Sequence, residues 1–145
     1  MSPRATLRIL GSAWLLVAGA ACGSTQPNPA EEVYRLQTLN ESALPYDHEG
    51  LGCCVYLSGS LTLREGRYEM AITFRNRNSG LEYTAEEWGS YTLVQEALSF
   101  VGESYAVAPI GLDAGVLEGG GLRLTFGGEG PGSPDQFRAF LVPRD

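Results

Sequence analysis

The chain has 145 residues, 17 acidic against 10 basic side chains, a single histidine and no lysine, for a formal net charge of −7. That length accommodates one ordinary domain with one modest core. The acidic balance argues against nucleic-acid binding, which rests on neutralising phosphates with basic side chains, and against electrostatic adhesion to an anionic membrane surface.

The first 21 residues have the three parts of an export signal. Arg4 and Arg8 lead, an apolar run over residues 9–21 follows with Trp14, Leu15, Leu16 and Val17, and small residues Ala18-Gly19-Ala20-Ala21 close it. The run is about 13 residues, short of the roughly 20 that span a bilayer as a helix. Small residues followed by Cys22 resemble the lipobox of bacterial lipoproteins. That resemblance implies a diacylglycerol on the Cys22 sulfur, cleavage before it and an acylated new amine. Several acyl chains anchor a protein stably where one does not. Gly23 after the cysteine, in place of aspartate, implies sorting to the outer membrane, facing the periplasm or the cell surface. Ala18-Gly19-Ala20 also fits ordinary signal-peptidase cleavage, so an unlipidated secreted form is the alternative.

Residues 22–30 then read as a lipidated cysteine and a tether, kept extended by Pro27 and Pro29, and residues 31–145 as the single domain. All 17 acidic residues and eight of the ten arginines lie beyond Cys22, which leaves this part of the chain at about −9. With Cys22 acylated, Cys53 and Cys54 remain as an even pair in an oxidising compartment.

From Glu31 onward no amphipathic helix is visible. Short alternating runs separated by turn residues predict an antiparallel all-β domain. Strands are expected over 33–39, over 55–64 with Gly59 as a bend or bulge, and over 67–76 after a Glu65-Gly66 turn. The last of these alternates most clearly, with Tyr68, Met70, Ile72 and Phe74 on one face. Residues 81–85 and 88–94 form one long strand or two, with Gly89 as the bend. Runs at 98–101, 105–108, 113–118, 122–126 and 137–142 follow. Eight or nine strands at a spacing of roughly 8–12 residues predict a barrel or a sandwich. Short connections favour an up-and-down eight-stranded barrel, with a β-sandwich as the alternative.

Three stretches resemble small bacterial lipocalin-like lipoproteins: Leu57-Ser58-Gly59-Ser60-Leu61-Thr62-Leu63 with its Gly turn and the Tyr68 strand, Trp88-Gly89-Ser90-Tyr91-Thr92-Leu93 followed by Leu98-Ser99-Phe100, and Tyr34-Arg35-Leu36 with a polar loop ending at Pro45. The resemblance implies a calycin-type barrel and an apolar ligand.

Adjacent Cys53 and Cys54 can close a strained, reducible eight-membered disulfide ring. The competing reading buries one as a small hydrophobe and leaves the other free or linked to a second chain. Asp47-His48-Glu49 offers zinc-ligand types, but one histidine without a paired spacing reads as a solvated loop over a barrel mouth. Ser58, Ser60 and Ser90 lack a nucleophile-elbow setting. Glu86 and Glu87, being neighbours on a strand, point to opposite faces and read as polar positions at a bend. The Gly127–132 loop lacks the lysine and helix of a phosphate loop.

The expected protein is therefore non-enzymatic and without cofactor or metal. It is held to the membrane through Cys22 and binds a small apolar ligand, with Tyr68, Met70, Ile72 and Phe74 as candidate cavity residues. An envelope interaction or assembly module with a filled core is the rival.

Overall fold

The computed structural model describes residues 31–47, 52–127 and 136–145. Among these the chain is all β, in ten strands: β1 (Glu32–Leu39), β2 (Ser42–Ala43), β3 (Tyr46–Asp47), β4 (Cys54–Arg64), β5 (Arg67–Asn76), β6 (Glu82–Val94), β7 (Ala97–Ala106), β8 (Leu112–Glu118), β9 (Gly121–Phe126) and β10 (Phe137–Pro143). Every ladder is antiparallel. From β4 to β10 each strand pairs with the next, β10 returns to β1, and β1 pairs with β4. The result is a closed up-and-down barrel of eight strands. The short β2 and β3 extend the edges of β1 and β4, and among the described residues no second sheet forms, which removes the sandwich.

Alternation drives closure. On β5, Tyr68, Met70 and Ile72 are buried while Glu69 and Arg75 face solvent. The same period on β9 buries Leu122, Leu124 and Phe126. Closing the sheet pairs Tyr34 with Leu61 and Glu32 with Leu63, so the first and fourth strands have no free edge to recruit other chains.

The two ends of the barrel differ in their connections. One end carries three two-residue turns, Glu65-Gly66, Gln95-Glu96 and Gly119-Gly120. Glu65 and Gly66 have φ of 48° and 76°, the left-handed pair that matches a hairpin to strand twist and that glycine adopts without steric cost. The other end carries the longer connections, 40–53, 77–81, 107–111 and 127–136. The loop after β5 is shaped locally: the Asn76 side-chain oxygen accepts from the N–H groups of Asn78 (2.9 Å) and Ser79 (3.1 Å), as Asn does at turns.

Toward the hairpin end the interior is solid. Leu61, Met70, Leu98, Leu122, Leu124 and Leu141 are all fully buried, each contributing about 2 kcal/mol of apolar burial.

Several expectations are corrected in detail. Residues 98–101 and 105–108 belong largely to one strand, β7, because Gly102 keeps its ladder place opposite Gly89. Of the two alternatives for 81–85 and 88–94, the single long strand forms, β6, with its register shift between Trp88 and Gly89, at the expected bend. The bulge in β4 falls between Tyr56 and Ser58 rather than at Gly59. The short β2 and β3, two residues each, are too brief to leave a periodic signal.

Candidate ligand cavity

At the loop end the described residues do not fill the barrel. A cavity of about 280 Å³ opens there, lined by Tyr56 of β4, Ile72 and Phe74 of β5, Ala85 of β6, Ile110 before β8, Phe126 of β9 and Phe137 of β10, with Cys53 and Cys54 at its rim. The wall is set by register. Phe126 lies directly opposite Phe137, Tyr56 opposite Phe74, Phe74 opposite Tyr83, and Tyr46 opposite Tyr56. Cross-strand partners share a face, so one aromatic position per strand end produces an arc of rings. Phe126 and Phe137 stack at 5.4 Å, Tyr56 meets Phe137 edge-on at 5.1 Å, and Phe74 lies 6.4 Å from Tyr56 and 5.8 Å from Tyr83. These separations are those of favourable aromatic pairs. Rings committed to each other along the wall leave the centre open. Burial, and then the neighbouring Tyr46, push the Tyr56 phenol above its ordinary pKa, so it stays neutral at physiological pH.

Of the four face residues on β5, Ile72 and Phe74 line this cavity. Met70 is fully buried in the solid part of the core. Tyr68 is engaged elsewhere: its hydroxyl donates to Glu87 Oε1 at 2.8 Å, and burial, followed by that bond, raises its pKa.

Glu87 is the main feature that the sequence pattern misassigned. Its side chain points inward and is only 4 % exposed. Oε2 accepts from the backbone N–H groups of Ile110 (2.9 Å) and Gly111 (2.7 Å), and Oε1 from Leu112 (3.1 Å) as well as Tyr68. The reason lies in the neighbouring ladder. β7 and β8 pair only at Ala97, Leu98 and Ser99, so the chain entering β8 has no ladder partner on its β7 side. Buried backbone donors must be satisfied, and Glu87 supplies the acceptors across the gap. Gly89 and Gly102 make the room: a Cβ on Gly89 would meet Tyr68 Cε1 at 2.6 Å, and one on Gly102 would lie 3.4 Å from Glu87 Cδ. With four donors on one carboxylate, Glu87 is a clamp for the floor of the cavity, holding Ile110 in its wall. Sequence carried one signal for it, the inward parity of Ala85, Glu87 and Gly89.

Cys53 and Cys54 are joined by a disulfide. Cys54 is buried as the first residue of β4, and Cys53 is exposed just before it. Asp47 forms an ion pair with Arg77. Among the described residues no cluster of three or more His, Cys, Asp or Glu side chains could hold a metal. The leader 1–21, Cys22, the tether 23–30, His48, Glu49 and the Gly-rich stretch 128–132 lie outside the described residues. On the outer face, Arg67 grips Glu103 with two bonds of 2.7 and 2.8 Å across β6, which holds the Glu103 carboxyl below its ordinary pKa.

Comparison of the chain with protein-family models, with curated proteins and with solved structures returns no match. The closed eight-stranded antiparallel barrel is consistent with the lipocalin-like pattern read from the sequence, and the functional reading rests on the cavity itself.

Proposed function

We propose that this protein is a lipid-anchored barrel of the bacterial cell envelope that carries a small apolar ligand, without performing chemistry on it. The observation that carries the reading is the unfilled, ring-lined cavity at one end of an otherwise close-packed barrel. Protein interiors pack to crystal-like density, and an empty apolar volume of this size forgoes dispersion contacts that filling would recover. An engineered apolar cavity of roughly 150 Å³ takes up benzene, so about 280 Å³ suits a ligand of two fused rings or a short branched chain. The cavity is at the small end of the range for ligand pockets, roughly 300–1,000 Å³.

Anchoring comes from the leader and Cys22. β1 begins at the hairpin end, where Glu32 pairs with Leu63. A tether preceding it supports a barrel whose mouth is directed away from the anchoring leaflet, so that ligand exchanges with the aqueous compartment. Four apolar side chains lie exposed on strands and loops of the mouth end, Leu81, Tyr83, Tyr105 and Val107. They favour the second reading, in which a partner protein docks at the mouth. The two readings are compatible where the partner delivers or receives the ligand.

The test is purification of the full chain from its own envelope, solvent extraction, and mass analysis of what is released. A stoichiometric apolar small molecule is expected. Its repeated absence, with the cavity also refusing added aromatic probes, contradicts carriage. Anchoring is tested separately: Cys22→Ala is expected to move the protein from the membrane to the soluble fraction, and retention at the membrane contradicts it.

A further inference from the structure

We propose that the Cys53–Cys54 disulfide is a working wall of the ligand cavity, and that its reduction by a dithiol oxidoreductase weakens ligand binding. The proposal rests on the carriage reading above and assigns a regulator to the same site. Two observations converge on it. Both cysteines line the cavity. The bond joins an exposed residue, Cys53, to a buried one, Cys54, which is 5 % accessible. A reductant can therefore reach the bond from solvent while the consequence falls inside the barrel.

The backbone explains why the consequence is local. Cys54 pairs with Asn76 at the start of β4, and the Cys53 carbonyl accepts from the Arg77 N–H at 2.8 Å. These bonds do not involve sulfur and survive reduction, so the strand stays in place. Neighbouring side chains on an extended chain point to opposite faces. A bond between adjacent cysteines overrides that tendency and holds the Cys53 sulfur against the Cys54 sulfur at the rim. Once reduced, Cys54 remains inward by its ladder position, while Cys53 is free to turn to solvent. The cavity then loses one polarizable wall atom and gains a thiol, a weak donor without a fixed partner.

The chemistry balances. A thiolate of the dithiol partner attacks the exposed Cys53 sulfur, the S–S bond breaks, and Cys54 leaves as a thiolate that takes a proton. The partner's second thiol then displaces Cys53 from the mixed disulfide. The partner ends as a disulfide, and Cys53 and Cys54 end as two thiols, a transfer of two electrons and two protons. Reoxidation by an oxidised partner of the same class reverses it.

The test uses the full chain in detergent, partly reduced so that oxidised and reduced molecules coexist, with 1-naphthol as the probe. Native mass spectrometry separates the two forms, because the reduced one is heavier by two hydrogens, and reads the bound fraction of each from the same solution. The reduced form is expected to bind about fivefold less tightly or weaker still, at or above the lower bound of ordinary coupling between sites. The double variant Cys53→Ser, Cys54→Ser is expected to match the reduced form. Equal bound fractions in both forms overturn the proposal while leaving carriage intact. Failure of both forms to bind the probe removes carriage and the proposal together.

Discussion

At the hairpin end of the barrel, leucines and Met70 from five strands pack together with Tyr34, Tyr68 and Phe100; at the loop end, Tyr56, Phe74, Phe126 and Phe137 meet one another along the wall and border about 280 Å³. The difference is that aliphatic chains occupy the axis at one end and not at the other. Flexible aliphatic chains choose rotamers that fill the axis of a barrel. At the loop end the rings pair with one another along the wall, and among the described residues no leucine or methionine fills the space between them. A barrel can thus be stabilised by one end and specialised at the other, and the Glu87 clamp marks the border between them.

The largest effect is expected at that border. Glu87→Leu leaves the Tyr68 hydroxyl and the N–H groups of Ile110, Gly111 and Leu112 without their acceptor. The expected loss is about 4 kcal/mol by urea denaturation, and a loss below about 1 kcal/mol would mean the clamp is dispensable. Next comes the solid end. Leu61→Ala should cost about 3 kcal/mol, with probe affinity unchanged because Leu61 does not line the cavity. The open end should behave in the opposite way. Ala85→Leu adds side-chain volume inside the cavity, so stability should change by less than about 1.5 kcal/mol while probe binding falls at least tenfold in a titration.

The smallest effect is a pH dependence. The Tyr34 phenol is pushed up to about 12 by burial and by its hydrogen bond to Glu32. The folded state therefore favours the protonated phenol. Its contribution is complete below the ordinary tyrosine pKa near 10 and is lost as pH rises from there toward 12. Denaturation midpoints of Tyr34→Phe should fall less steeply across that alkaline window than those of the parent. Parallel curves would assign the alkaline loss elsewhere, Tyr68 being the next group shifted the same way.

Much of the wall was legible in the sequence because it is periodic. The alternation on β5 placed Tyr68, Met70, Ile72 and Phe74 on the inner face, and all four do face inward. What alternation does not carry is position along the barrel axis. Ile72 and Phe74 lie toward the loop end and reach the cavity, whereas Tyr68 and Met70 lie toward the hairpins and are absorbed into packing. The partnership of Phe126 with Phe137 depends on register between strands joined by a long connection, which a single sequence leaves open. Glu87 reads as an exposed charge by residue type. Parity with Ala85 and Gly89 points it inward, but the need for its carboxylate follows from a ladder that ends early between β7 and β8, a tertiary fact.

The open end is proposed to be a ligand site rather than a packing remnant. The most direct measurement is native mass spectrometry of the full-length parent and of Ala85→Leu at matched 1-naphthol concentrations. One saturable equivalent is expected on the parent and none on the variant, with both proteins folded. Equal uptake by the two would place the probe outside the cavity and contradict the claim.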